Sequence, residues 1–190
     1  MIPASLETRR DKATILTVTK LDAARRQLNT AIELWFTDGD EVSIHTLAFA
    51  AHEIIHRAYR SKGLKDLLYD SESIKEEYRA DINKALKQAA VFFKHANRDK
   101  LEEVSISFTP EGTVLFILMS IIGLHRMGEA LNDFEQAFSH WHQLHRPSWF
   151  AQPATNSIPV DVVEKLRSRS PREFFEGFVQ FRAAKRTAQP

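Results

Sequence analysis

Three histidines and a glutamate share one short stretch, Ser43-Ile44-His45-Thr46-Leu47-Ala48-Phe49-Ala50-Ala51-His52-Glu53-Ile54-Ile55-His56. Within it, His52-Glu53-Ile54-Ile55-His56 matches the zinc-hydrolase pattern His-Glu-x-x-His. Residues four apart on a helix share a face, so His52 and His56 could hold one zinc ion while Glu53 serves as the catalytic base on a metal-bound water. The third ligand in that arrangement would be Glu77, with Asp81 four residues further on. Enzymes of this kind place the motif helix beneath a mixed sheet, whereas the residues upstream of His52 offer a helix and at most one short strand. A milder alternative is a non-catalytic site for zinc or another divalent ion, built from His45, His52 or His56 and a residue on a facing helix.

The helical wheel argues for a third role. His45, Phe49, His52 and His56 fall within an arc of about 60°, while Ile44, Leu47, Ala51, Ile54, Ile55 and Ala58 form an apolar face centred roughly 130° away. The sequence therefore predicts histidines that flank the core, covering apolar surface and hydrogen-bonding at its rim.

A second concentration of chemistry is Phe92-Phe93-Lys94-His95-Ala96-Asn97-Arg98-Asp99-Lys100. Lys94, His95 and Arg98 could bind a phosphate or carboxylate, with His95 as a catalytic acid or base. The same residues also suit the end of a helix, where cations complement the dipole and Asn97 can take a left-handed cap. The run around His140, His142 and His145 is a weaker metal signal, because only His142 and His145 share a helical face. His125 reads as a histidine at the edge of the core.

Helical periodicity runs through most of the chain. Thr19 with Asp22 predicts a capped first helix carrying Leu21, Ala24, Leu28, Ala31, Ile32 and Trp35, and Asp40 caps a second from about Glu41 to Arg60. Ile74, Tyr78, Ile82, Leu86, Ala89 and Phe93 mark a third helix. Thr109-Pro110-Glu111 opens a fourth, buried helix that stops at Gly128, with Thr109 as its cap. Leu131, Phe134, Phe138, Trp141 and His145 mark a fifth. Asp161 to Arg167 suggests a short helix, and Ser170-Pro171-Arg172-Glu173 a capped last one with Phe174, Phe178 and Phe181 on one face. Val104 to Phe108 alternates as a strand would, and Thr14 to Val18 is its available partner.

The expected fold is all-α: a single-domain bundle of five or six helices with room for one minor β-hairpin. Residues 1–18 form a polar leader or short strand, 19–147 the bundle core, 148–160 a linker, and 161–190 C-terminal helices packed on the bundle. A formal charge of +1 over 190 residues makes a nucleic-acid partner unlikely. With no cysteine there is neither a disulfide nor a thiolate metal site. The longest apolar run, Val114 to Ile122, is too short for a bilayer, so no membrane partner and a cytoplasmic location are expected.

The order of motifs over about residues 20 to 100, Ala23-Ala24-Arg25-Arg26-Gln27-Leu28, then Ile44-His45-Thr46-Leu47, then Phe93-Lys94-His95-Ala96, resembles a group of bacterial cytosolic proteins to which no activity attaches. The resemblance implies a preference for His45 and the Lys94, His95, Asp99 corner over His52 and His56. A bundle with a Lys-His-Ala corner also resembles the HEPN ribonucleases at the level of fold. In that family an Arg precedes the catalytic His within a narrow range of short spacings, which none of the eight histidines here satisfies. The leading expectation is thus a bundle without a cofactor that acts by self-association or partner binding, as a homodimer, through surplus aromatic surface at Trp141, Trp149, Phe150, Phe174, Phe175, Phe178 and Phe181.

Overall fold

A computed structural model describes residues 15–72, 74–94, 105–151, 153 and 158–188. Among them are seven α-helices: α1 (Lys20–Phe36), α2 (Glu41–Ser61), α3 (Glu76–Lys94), α4 (Glu111–Arg126), α5 (Asp133–His145), α6 (Val160–Arg167) and α7 (Pro171–Thr187). Short 3-10 turns lie at Leu68–Asp70 and Pro147–Trp149. The fold is all-α, with more helices than the five or six expected because the two C-terminal segments form separate helices. No described residue is in a strand: 105–108 and 15–18 adopt no regular structure. Val104 and Thr14 lie outside the described residues. No helix among the described residues is long and apolar enough to cross a membrane.

Side-chain caps set most helix starts. Thr19 and Asp22 close the expected capping box on α1, Asp40 accepts the Ser43 N–H at α2, and Ser170 with Glu173 closes the box on α7. Asn132 with Glu135 does the same for α5. At α4 the cap position falls to Pro110, with no side-chain bond, so Thr109 is not the cap. Gly63 (φ +75°) and Gly128 (φ +83°) end α2 and α4 in the left-handed conformation that glycine takes without a Cβ clash.

α1 and α2 form a helical hairpin, and α4 and α3 also pack against α2. α5 lies against α1 and α4, and α7 covers α5. One apolar cluster includes residues of all seven helices, from Ala24 and Leu28 through Phe116 and Phe138 to Val163 and Phe174.

This surrounding overturns the expected boundary role of two histidines. His45 is 3% exposed and His52 fully buried. With α1, α4 and α3 all packed against it, α2 buries a band that takes in Ile44, His45, Ala48, Phe49, Ala51, His52 and Ile55, wider than one apolar face. His125, by contrast, is exposed at the end of α4 and not at the core edge.

Candidate functional site

The loop between α2 and α3 is held in an unusual backbone. Asp66 (φ 69°) and Leu68 (φ 51°) occupy the left-handed region, which a branched side chain such as leucine rarely adopts. Several contacts hold it there. Tyr59 donates its hydroxyl to the Lys65 carbonyl at 3.0 Å, and Arg126 donates to the Asp66 carbonyl at 3.0 Å. Leu67 is fully buried against Gly123, where a Cβ would stand 2.9 Å from Leu67 Cδ2. Asp70 Oδ1 accepts the Leu67 N–H at 2.8 Å, closing the turn. These anchors deliver Tyr69 and Asp70 against α2 and α3.

The result is a cleft of about 390 Å³, within the size range of small-ligand sites. α2 contributes Glu53, His56, Arg57 and Arg60, the turn Tyr69 and Asp70, and α3 Arg79, Asn83 and Lys87. Four permanent cations thus face two carboxylates. Lys87 pairs with Glu53 at 3.4 Å and lies 4.3 Å over the Tyr69 ring. Arg79 is committed to structure, donating to the carbonyls of Tyr69, Ser71 and Ile74. Arg60 stands 3.9 Å from Asp70 Oδ2, too long for a hydrogen bond, and Arg57 makes no ion pair with a described residue.

Six buried side-chain polar atoms among the described residues lack a hydrogen-bond partner, and three of them line this cleft: Tyr69 Oη, Asp70 Oδ2 and Asn83 Oδ1. Asn83 Nδ2 donates to the Tyr69 carbonyl at 3.2 Å, which fixes the amide so that its oxygen is the unsatisfied atom. Burial, and then the adjacent Glu53 carboxylate, push the Tyr69 phenol above its ordinary range, although its hydroxyl does not reach hydrogen-bonding geometry with Glu53. Burial raises Asp70, but the Leu67 N–H and the His56 ring outweigh it and hold the carboxyl below the usual range.

A fourth unsatisfied atom, His52 Nε2, sits behind Tyr69, with ring centroids 5.0 Å apart. Ser120 donates its hydroxyl to the Phe116 carbonyl at 2.7 Å, so its oxygen accepts from His52 Nδ1–H at 3.3 Å. His52 is therefore a neutral imidazole with a bare Nε2 lone pair, and burial pushes its pKa down to about 3. At His56 the proton must sit on Nε2, because that nitrogen faces Asp70 Oδ1 at 3.3 Å and a carboxylate only accepts.

That proton weighs against the zinc arrangement. His56 offers a metal no Nε2 lone pair while it donates to Asp70, and Glu53 is occupied by Lys87. Glu77 is exposed on the first turn of α3 and does not line the cleft. Among the described residues, no three His, Asp or Glu side chains gather as a metal would require. His45 lies apart from this cleft. Its Nδ1 meets Thr113 Oγ1 at 2.8 Å, its ring packs on Phe93, Phe108 and Phe116, and it lines a separate cavity of about 480 Å³. Lys94 ends α3 exposed, while His95 and Arg98 lie outside the described residues. His140, His142 and His145 do not act together: each donates Nδ1–H to the carbonyl four residues back.

A second concavity, of about 640 Å³, lies between α5, α6 and α7. Its walls include Leu144, Ile158, Val162, Leu166, Phe174, Phe178 and Phe181, with Gln136, His140, Gln143, Arg169 and Arg182 among the polar residues.

Of the His-Glu-x-x-His residues, Glu53 and His56 form one wall of the polar cleft and His52 lies behind it, whereas Tyr69, Asp70, Asn83, Arg57, Arg60 and Lys87 are not marked by that motif. The available signal was the adjacent aromatic and acid, Tyr69-Asp70, on a connection between helices, where binding groups concentrate. Comparison with protein-family models, with curated proteins and with solved structures yields no match.

Proposed function

We propose that this chain acts through association, as a homodimer joined along the α5–α7 groove. The carrying observation is a projecting ring beside a hollow: Phe181 is 65% exposed at the groove that Phe178, Leu166 and Val162 line. A patch containing both a knob and a hole is self-complementary, as a two-fold interface requires, because each copy can seat its Phe181 in the other's groove. Val160 and Val162, 73% and 40% exposed, extend the apolar surface. Trp141, Phe174 and Phe175 are absorbed by the chain's own core, so the associating aromatics narrow to Phe178 and Phe181, with Trp149 (44% exposed) and Phe150 nearer the 3-10 turn.

Size-exclusion chromatography with light scattering at micromolar concentration is expected to give twice the chain mass. Phe181→Asp is expected to halve it while changing folding stability by less than about 0.5 kcal/mol, since the ring is mostly in solvent in a single chain. A monomeric parent protein would remove the proposal.

A further inference from the structure

We propose that the cleft between α2, α3 and the 68–70 turn is a binding site for a small zwitterion of the amino-acid class, with the ammonium at its floor and the acid group at its rim. This goes beyond association along α5–α7, because the polar cleft shares no lining residue with that groove.

The floor asks for donors. Asp70 Oδ2 and Asn83 Oδ1 are buried acceptors without partners, and Tyr69, 6% exposed, presents an unsatisfied hydroxyl that can donate or accept. Leaving such atoms buried and unpaired costs free energy, and three around one concavity mark a place where a molecule with several N–H groups would complete the bonding. An ammonium has three donors and a charge that the Asp70 carboxylate balances. A simple anion could take a bond from the Tyr69 hydroxyl but would leave Asn83 Oδ1 unsatisfied and be repelled by the Asp70 carboxylate.

The rim asks for an acid. Among the described residues Arg57 has no ion-pair partner, and Arg60, its side chain 62% exposed, has only the 3.9 Å approach to Asp70. The two are three residues apart on α2 and so lie on neighbouring turns of one face, where both guanidinium groups can reach a carboxylate. Glu53, Lys87 and Arg79 are already occupied by one another or by backbone carbonyls, so they shape the cleft without setting the ligand's charge pattern. His52 contributes from behind by keeping Tyr69 in place, ring against ring.

The test titrates the full-length protein with each of the twenty standard amino acids, and with ammonium chloride and sodium acetate as separated halves, by calorimetry and thermal shift at neutral pH. At least one amino acid is expected to bind saturably with a dissociation constant below about 1 mM, while the two salts at equal concentration do not. In the double variant Arg57→Ala with Arg60→Ala, which removes exposed side chains and leaves the packed turn intact, that affinity is expected to fall at least tenfold. Asn83→Leu, which removes a floor acceptor, is expected to weaken it similarly, and Phe181→Asp is expected to leave it unchanged. Failure of every amino acid to bind would overturn the proposal, as would binding that survives both cleft variants. Because Phe181→Asp reads the other face, loss of the dimer and loss of the ligand are separate outcomes.

Discussion

Two of the polar clusters in this bundle differ in how completely they are satisfied. Where α1 meets α5, Glu135 is fully buried yet both carboxylate oxygens are used. Arg25 donates from Nε to Oε1 at 3.1 Å and from a terminal nitrogen to Oε2 at 2.8 Å, and the Asn132 N–H reaches Oε2 at 2.8 Å. Arg25 also donates to the Ala130 carbonyl, and its guanidinium is held above even its ordinary pKa by the hydrogen bond to Glu135. Where α2 meets α3, Tyr69, Asp70 and Asn83 leave an atom each unpaired around an open cleft. A closed network welds two helices together. An open one of similar composition has room for something else, and that difference separates scaffold from site more cleanly than residue type does.

The largest effect expected from breaking this contrast comes from the closed cluster. Glu135→Ala strands the Arg25 charge and the Asn132 N–H together, and chemical denaturation is expected to show a loss of about 3 kcal/mol, the low end for broken buried pairs because Arg25 is partly exposed. Amino-acid binding in the cleft should persist wherever the protein remains folded. A loss below about 1 kcal/mol would mean that the network is not the weld its geometry implies.

Acidification acts on the buried imidazoles and sharpens the contrast from the other side. His52, near Lys87, His56 and Asp70, has its pKa pushed down to about 3, and His142, near Arg146 and His145, to about 4, burial being the main cause for both. Between those values and the ordinary 6.5 the unfolded chain binds protons that the native one refuses, so stability falls as pH falls. Each group contributes a slope approaching about 1.4 kcal/mol per pH unit. Asp70 and Asp133 are held low and lose their contribution only near and below the usual carboxylate range, so pH 6.5 to 4.5 is mainly the histidines' window. Denaturation midpoints across that window should drop, and His52→Gln should remove its share of the slope. A flat profile would contradict the burial.

Much of the scaffold was legible in the sequence because its signals are local. Thr19 with Asp22, Asp40, and Ser170 with Glu173 state their helix starts within four residues, and Gly63 and Gly128 state their stops. The site was less legible because its determinants are tertiary. A helical wheel assigns one face to the core, and it placed His52 at the rim; Phe116 and Ser120 of α4 and Tyr69 of the 68–70 turn closed over it. Ser120, 68 residues away from His52, fixes its tautomer, and Asn83 comes to Tyr69 across 14 residues. The left-handed Leu68 that aims Tyr69 follows from anchors at Tyr59, Gly123 and Arg126, which no local pattern links to it.

The smallest expected effect is the most discriminating. Removing the hydroxyl of a buried tyrosine ordinarily costs about 1 kcal/mol, because a hydrogen bond is lost with it. At Tyr69 there is no such bond to lose, and the ring's packing against His52, His56 and Phe116 and beneath Lys87 is kept by phenylalanine. Tyr69→Phe should therefore leave stability unchanged or raise it by up to about 1 kcal/mol, while weakening the zwitterion that uses the hydroxyl. Tyr59→Phe is the internal control, since that hydroxyl does bond the Lys65 carbonyl and its removal should cost the ordinary amount. If both substitutions destabilise equally, the Tyr69 hydroxyl is satisfied within the folded chain, and the cleft floor is as closed as the junction at Glu135.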